Sequence, residues 1–427
     1  MILTSIIEHI GNTPLLLIPE DIHGFIGLEI YAKLEFLNPF WSIKDRTALG
    51  IMKESGNKDI IESSSGNTAK GLGILANLSN KKFLTVTNRI KQKEIESILK
   101  IIWVEIKNLP PGSECPDPHD PNSPFWVIKR IVSENPWKYY WTDQYTNEAN
   151  PAIHRDTTAR EIDDDIGIPD FFFSGLGTTG SSRGIIEYFD EKIWEMKSIG
   201  IITAVGSYIP WIRNSHEMSE VWLFVKKYYT DIIPVNDQDA IDSMLTLIQK
   251  CGMLVWPTTW AVYHGMISYL RSLDLESLNR KKVVFIACDR VEPYTSYIRE
   301  KCPDLFEWNK KKKGIQKTIL WKSQEILYQE FYDSFENFLI IDLRSCGSYD
   351  LGHIDGSICV SSPEIQNFIS KWFLPFPKEK HIVFICPYWE ESIIISQIAN
   401  GMGYETSSLK WGYQEYIELW WVVHHNL

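Results

Sequence analysis

The sequence predicts an α/β protein with two successive regions of mostly parallel sheet covered by helices. Three observations lead there. Apolar bursts recur along the chain, amphipathic stretches of helical length separate them, and a segment carrying Pro, Gly and a Lys run divides a long first region from a short second one.

In the first region, LEIYAKLEF (28–36), KKFLTVT (81–87), FFFSGLG (171–177), IGIITAV (199–205) and KKVVFIACD (281–289) read as strands. KQKEIESILKII and DAIDSMLTLIQKCG between them carry helical periodicity. The segment PDLFEWNKKKKGIQKTILWK (303–322) reads as a surface boundary, its four lysines as a solvated linker rather than a nucleic-acid patch. Beyond it, FLIIDLR (338–344) and HIVFIC (381–386) are strand signals of a smaller α/β domain. The expected organisation is a domain over 1–305, a linker over 306–322 and a domain over 323–427.

Bulk properties narrow the function. The 427 residues suggest two or three domains at roughly 150 residues each. A formal net charge of -12 argues against nucleic acid or anionic membrane as the main partner. No apolar run has the length of a membrane span, and MILTSIIEHIGNTP lacks the basic start and cleavage site of a signal peptide, so a cytoplasmic location is expected. The seven cysteines (115, 251, 288, 302, 346, 359, 386) contain no CxxC pair, which disfavours a disulfide framework and a metal site.

Four segments stand in an informative order: IGNTPLL (10–16), NPFWSIKDRTA (38–48), SSSGNTAKG (63–71) and SGLGTTGSSRG (174–184). With TDQYTNEANPAIHRDTTAREI (142–162) and LVWPTTWAVYHG (254–265), they resemble the cysteine synthase and cystathionine β-synthase family of pyridoxal 5′-phosphate (PLP) enzymes, over about residues 4–300. The resemblance implies PLP fold type II, with two α/β subdomains like those of the tryptophan synthase β chain, and a homodimer. Lys44 matches the family's Schiff-base lysine, which also removes the substrate α-proton; a sheltered pocket that lowers its pKa suits both roles.

Gly177, Thr178, Thr179, Gly180 and Ser181 match the cofactor phosphate loop, at a strand-to-helix turn whose amides suit an anion. Thr179 replaces a commoner Gly, and this GTTG form resembles the subgroup that takes O-phosphoserine and sulfur from a carrier protein's thiocarboxylate. Ser64, Ser65, Gly66 and Thr68 match the loop that binds the substrate α-carboxylate, with Asn67 reaching the cofactor 3′-oxygen and Gln144 on the carboxylate side. Thr258, or else Thr259, matches the hydroxyl partner of the pyridine nitrogen. Unlike an Asp, it leaves the ring nitrogen unprotonated, which suits elimination. In GSYIPWIRN (206–214), Arg213 stands either as an ordinary surface arginine or, by resemblance to O-phosphoserine enzymes, as the fork that holds the substrate phosphate.

Residues 338–427 resemble a rhodanese domain: IIDLRSCGSYDLGHIDGSICV (340–360), FICPYWEES (384–392) and LKWGYQEYIELW (409–420). Cys386 occupies the persulfide-carrying position, while His353 and Asp342 read as structural. Trp389 stands where a Gly is expected and Glu391 where an Arg often sits. A carboxylate beside the thiol would raise its pKa, so a scaffold or docking role stands beside the sulfur-transfer one.

Tryptophan is overused, with 17 residues. Trp41, Trp211, Trp256, Trp260, Trp389 and Trp411 occupy positions where the resembled families usually carry Gly, for positive φ or close backbone approach. Two origins fit: a gene whose UGA codons specify glycine, read with a code in which UGA is tryptophan, or a decaying gene. A chain made as written is expected to bind PLP weakly, because Trp41 lies three residues from Lys44.

The implied activity is formation of L-cysteine from O-phosphoserine or O-acetylserine and a sulfur donor through an aminoacrylate. The alternatives are a cystathionine β-synthase or diaminopropionate-type β-replacement enzyme, and a catalytically silent binding protein. An amino-acid substrate and a sulfur-carrier protein are the expected partners.

Overall fold

The structure is a computed structural model that describes residues 2–88, 90, 92–110, 120–192, 196–306 and 324–425. The linker expected at 306–322, with its lysine run, lies outside the described residues from 307 onward, as does Cys115. The chain divides into two units, one of residues 1–107 and 128–306, the other of 108–127 and 307–427.

Among the described residues, ten strands precede the linker: β1 (Leu15–Ile18), β2 (Glu29–Leu34), β3 (Asp59–Glu62), β4 (Phe83–Thr87), β5 (Glu105–Asn108), β6 (Tyr139–Trp141), β7 (Phe171–Gly175), β8 (Lys197–Thr203), β9 (Asp231–Val235) and β10 (Lys282–Ala287). They form a six-stranded sheet in the order β1-β2-β10-β7-β8-β9 and a four-stranded sheet in the order β5-β4-β3-β6. In the large sheet only β1 runs antiparallel to its neighbour.

Alternation along the strands fills two cores. Val283 and Phe285 of β10 join Phe171 and Phe173 of β7 on one face, while Val284, Ile286 and Phe172 pack on the other. Both faces are buried, which is why these segments read as continuous apolar runs. The helices of this region include α1 (Lys44–Met52), α2 (Asn67–Leu78), α3 (Lys93–Ile101), α4 (Gly180–Asp190) and α5 (Pro257–Ser272). The starts of α2 and α4 follow β3 and β7, so both turns lie at the carboxyl ends of parallel strands, where α/β sheets bind ligands.

The second unit has one parallel sheet of β11 (Gln324–Ile326), β12 (Phe338–Asp342), β13 (Ile358–Cys359), β14 (His381–Ile385) and β15 (Thr406–Leu409), in the order β11-β15-β14-β12-β13. Ile341, Ile382 and Phe384 pack on one face, and Ile340, Val383 and Ile385 on the other. Helices α6 (Ser362–Ser370) and α7 (Glu390–Gly401) belong to this unit. Asp120 is also part of it: its Oδ2 accepts a hydrogen bond from Ser345 Oγ at 2.9 Å.

Candidate active site

The first unit holds a cavity of about 320 Å³ lined by Lys44, Ser64–Thr68, Gln144, Gly177–Thr179, Ser181, Arg213 and Thr258 among others. These residues come from six separated stretches of the sequence. Of the site residues expected in this unit, only Gly180 is outside the lining; a Cβ there would meet the Asn150 side chain at 2.2 Å. Of the two threonines considered for one role, Thr258 lines the cavity, whereas Thr259 Oγ1 accepts the Cys288 N–H at 3.2 Å and is fully buried.

Lys44 opens α1, and its backbone N–H donates to Ser42 Oγ at 3.0 Å. Burial lowers its pKa, with Cys288 and Asp289 pulling the other way. Two residues on, Arg46 anchors the helix: Nε lies 2.9 Å from Glu35 Oε2 and Nη1 2.6 Å from Glu161 Oε1, while Lys33 Nζ lies 2.8 Å from Glu161 Oε2. This buried network fixes the backbone that presents Lys44.

The turn before α4 places Thr179 at φ 60, a left-handed conformation that explains why glycine is commoner there. The first N–H groups of α4 face no intrahelical acceptor, and Thr179 Oγ1 is buried without a partner. At Gly177 a Cβ would meet the Trp211 carbonyl at 2.8 Å, so the chain passes close there. Such a turn suits a phosphate.

At the start of α2, Ser64 Oγ accepts the Ala69 N–H at 3.2 Å, and Thr68 Oγ1 donates to Gln144 Oε1 at 2.8 Å. Asn67 Nδ2 donates to Asp289 Oδ2 at 2.5 Å and to the Tyr294 hydroxyl at 2.8 Å, leaving its buried Oδ1 without a partner. Thr258 Oγ1 donates to the Pro210 carbonyl at 3.1 Å. Arg213 Nη1 donates to the Glu217 carbonyl at 3.1 Å, with the guanidinium 5.1 Å from the Tyr145 ring centroid.

Sequence reasoning missed Asp289, Cys288, Tyr145 and Ser174, which also line the cavity. The available signal was position: Cys288 and Asp289 directly follow β10, at the ligand-binding end of the sheet. Burial pushes the Asp289 carboxyl up to about 7, against the pull of Tyr294, Lys70, Asn67 and Lys44. The Cys288 thiol is pushed up to about 12 by burial and by Asp289.

In the second unit, Cys386 follows β14 and is fully buried. Its Sγ donates to Ser392 Oγ at 3.3 Å and accepts the Ser392 N–H at 3.3 Å. Glu391 is buried and takes the Ser362 hydroxyl as a partner. Asp342 pairs with Arg344 at 2.7 Å, and the His353 ring stacks on Tyr349 with centroids 3.9 Å apart, which gives both structural contacts.

Residues 6–289 match the family model described as pyridoxal-phosphate dependent enzyme. The chain belongs to this family. Residues 326–419 match the rhodanese-like domain model, so the chain joins a PLP enzyme to a rhodanese-like domain. A probable cysteine synthase of Bacillus subtilis is 30% identical over 329 residues, covering 69% of this chain and 97% of that protein. A cystathionine beta-synthase of Apis mellifera is 29% identical, covering 70% of this chain but only 62% of its own length. Among solved structures, a hydrogen sulfide-producing enzyme from Fusobacterium nucleatum superposes with a TM-score of 0.60 at 28% identity, covering 69% of this chain and 100% of its own.

The cavity fits the family's cofactor on three observations: an amine of lowered pKa, a helix start with an orphaned threonine hydroxyl, and an asparagine amide oxygen buried without a partner. One side chain opposes the fit. The Trp211 indole lies over the Gly66 turn, where a Cβ on Gly66 would meet Cη2 at 2.7 Å, and Trp211 Nε1 donates to the Tyr294 hydroxyl at 3.2 Å. Among the described residues, no helix is long and apolar enough to cross a membrane.

Proposed function

We propose that the chain makes L-cysteine by β-replacement: an activated serine, O-phosphoserine or O-acetylserine, loses its ester group and a sulfur nucleophile takes the place at Cβ. The observation that carries this reading is the convergence of Lys44, the Ser64–Thr68 loop, the Gly177–Ser181 turn and Thr258 on one cavity.

Bound there, PLP supplies an electron sink for the charge that develops at the substrate Cα. Thr178, Thr179 and Ser181, with the first amides of α4, would hold its phosphate, and Thr258 would offer its ring nitrogen a neutral hydroxyl in exchange for the hydrogen bond to the Pro210 carbonyl. Ser64, Ser65 and Thr68 orient the substrate carboxylate, with Gln144 braced against Thr68. Lys44 Nζ, its proton affinity lowered by burial, takes the α-proton. Arg213, which also lines the cavity, holds an anionic leaving group in this reading.

The rhodanese-like domain supplies the sulfur: the Cys386 thiolate takes the sulfane sulfur of a donor such as thiosulfate as a persulfide, with sulfite leaving, and a thiol reductant releases it as sulfide for attack at Cβ while the thiol is oxidised to disulfide; or a carrier protein docks on that domain, which raises its effective concentration. The working form in this proposal is a cytoplasmic homodimer, with the domains at 1–305 and 323–427. The test is cysteine formation by the full chain with each ester and with sulfide, thiosulfate plus a thiol reductant, or a carrier thiocarboxylate as donor. Turnover with one ester and none in Lys44→Ala supports the reading and names the leaving group. Turnover only when homocysteine or an amine replaces the sulfur donor would assign another β-replacement reaction.

A further inference from the structure

Among the described residues, eleven other than glycine have positive φ, and six of these are tryptophans: Trp41 (72°), Trp103 (59°), Trp211 (69°), Trp372 (55°), Trp389 (78°) and Trp411 (64°). The other five are Asn12, Asn80, Asp143, Thr179 and Arg280. A bulky aromatic residue has no reason to gather in the left-handed region; glycine does.

Two of the six decide between the possible origins, because they lie outside the cavity lining and away from the Cys386 loop. Trp103 sits at the C′ position after α3: its N–H donates to the Lys100 carbonyl at 3.1 Å, and the Val104 N–H to Leu99 at 3.0 Å. Trp372 repeats this after α6, donating to Ile369 at 2.8 Å while Phe373 donates to Phe368 at 3.2 Å. These are the paired bonds of a Schellman helix end. The chain builds the same ending twice more with the residue types it favours, Gly403 after α7 and Asn80 after α2. Trp103 and Trp372 are 87% and 68% exposed, so their indoles gain no packing that would offset the strained backbone.

The other four lie at the two sites or directly beside them in the sequence. Trp211 covers the Gly66 turn. Trp41 ends the turn before Lys44, its N–H donating to the Asn38 carbonyl at 2.8 Å. Trp389 caps α7 directly beyond Cys386, its ring centroid 5.1 Å from that of Trp411. The neighbour of Trp411, Gly412, already has φ 74, and a Cβ there would meet the Cys386 and Pro387 carbonyls at 2.6 Å.

We infer that the functional protein carries glycine at 41, 103, 211, 372, 389 and 411, the gene's UGA codons specifying glycine rather than tryptophan. Decay of a disused active site does not account for helix ends outside the sites, where only local backbone geometry asks for glycine. Trp256 and Trp260 are a different case: neither has positive φ, and both are fully buried with unpartnered indole N–H groups. The Trp256 ring centroid lies 3.3 Å from that of Tyr294, inside the separation of about 4.5–7 Å usual for aromatic pairs. Close approach, not φ, is what glycine would supply at these two. With glycine at 211 the space over Gly66 opens and the Tyr294 hydroxyl loses the indole as a donor; with glycine at 389 and 411 the turns flanking Cys386 relax.

The inference rests on backbone geometry and stands whether or not the chain makes cysteine. Its test is peptide mass mapping of the protein isolated from the cells that encode it, together with the gene's codons at the six positions. Glycine in the peptides and UGA in the gene are expected; tryptophan in the peptides, or UGG at 103 and 372, overturns it. A second measurement uses the full chain as written: W103G and W372G each raise Tm, by roughly 2–4 °C, whereas W126G, inside a helix, lowers it. A fall in Tm for W103G and W372G counts against the inference.

Discussion

At the scale of single residues, the proposed reaction turns on Lys44. Replacing it with Ala is expected to lower turnover by ~10³-fold or more, since in that proposal its amine moves the α-proton; single-turnover kinetics check this. Arg213→Ala is expected to raise KM for O-phosphoserine by ~10-fold or more, the scale of a lost charge-assisted hydrogen bond, and to leave O-acetylserine little changed. Equal effects on the two esters would remove Arg213 from the leaving-group site. That Lys44, Asn67, Thr179 and Thr258 line one cavity was legible in the sequence because each sits in a dense local motif. Asp289 was not, since a single Asp after a strand carries no pattern; its contacts with Asn67 and Tyr294 exist only in three dimensions.

Among elements, α1 depends on ion pairs buried beneath it. Burial pushes the Glu161 carboxyl up, but the hydrogen bonds and charges of Arg46 and Lys33 outweigh this and hold it down to about 2. A depressed carboxylate pKa stabilises the fold above the unfolded value near 4.5, and that contribution is lost as pH falls toward 2. The shift corresponds to ~3 kcal/mol. Glu161→Gln is therefore expected to lower stability at neutral pH and to flatten the acid limb of a denaturation-midpoint profile; an unchanged acid limb would show that the pair adds nothing. The long apolar strands β7, β8 and β10 were legible from their runs, being buried on both faces. Short β15, TSSL, was not, because its buried Ser and Thr hydroxyls pair inside the fold: Ser408 Oγ meets Ser392 Oγ at 2.7 Å and Thr406 Oγ1 donates to the Ser396 carbonyl at 2.8 Å.

For the whole molecule, the account joins a PLP enzyme unit to a rhodanese-like unit, each with its own cores. With a thiol reductant present, Cys386→Ala is expected to abolish cysteine formation from thiosulfate while leaving formation from free sulfide intact; unchanged thiosulfate turnover would leave the second unit as a scaffold. The fusion was readable from two motif sets in series, but the assignment of residues 108–127 to the second unit was not, since no local pattern announces a contact such as Asp120 with Ser345. The most direct test of the central claim is borohydride reduction of the protein purified from the cells that encode it, followed by peptide mapping. The account predicts the reduced cofactor fixed on the peptide that contains Lys44 and on no other. Cofactor fixed on another lysine, or on none, would contradict it.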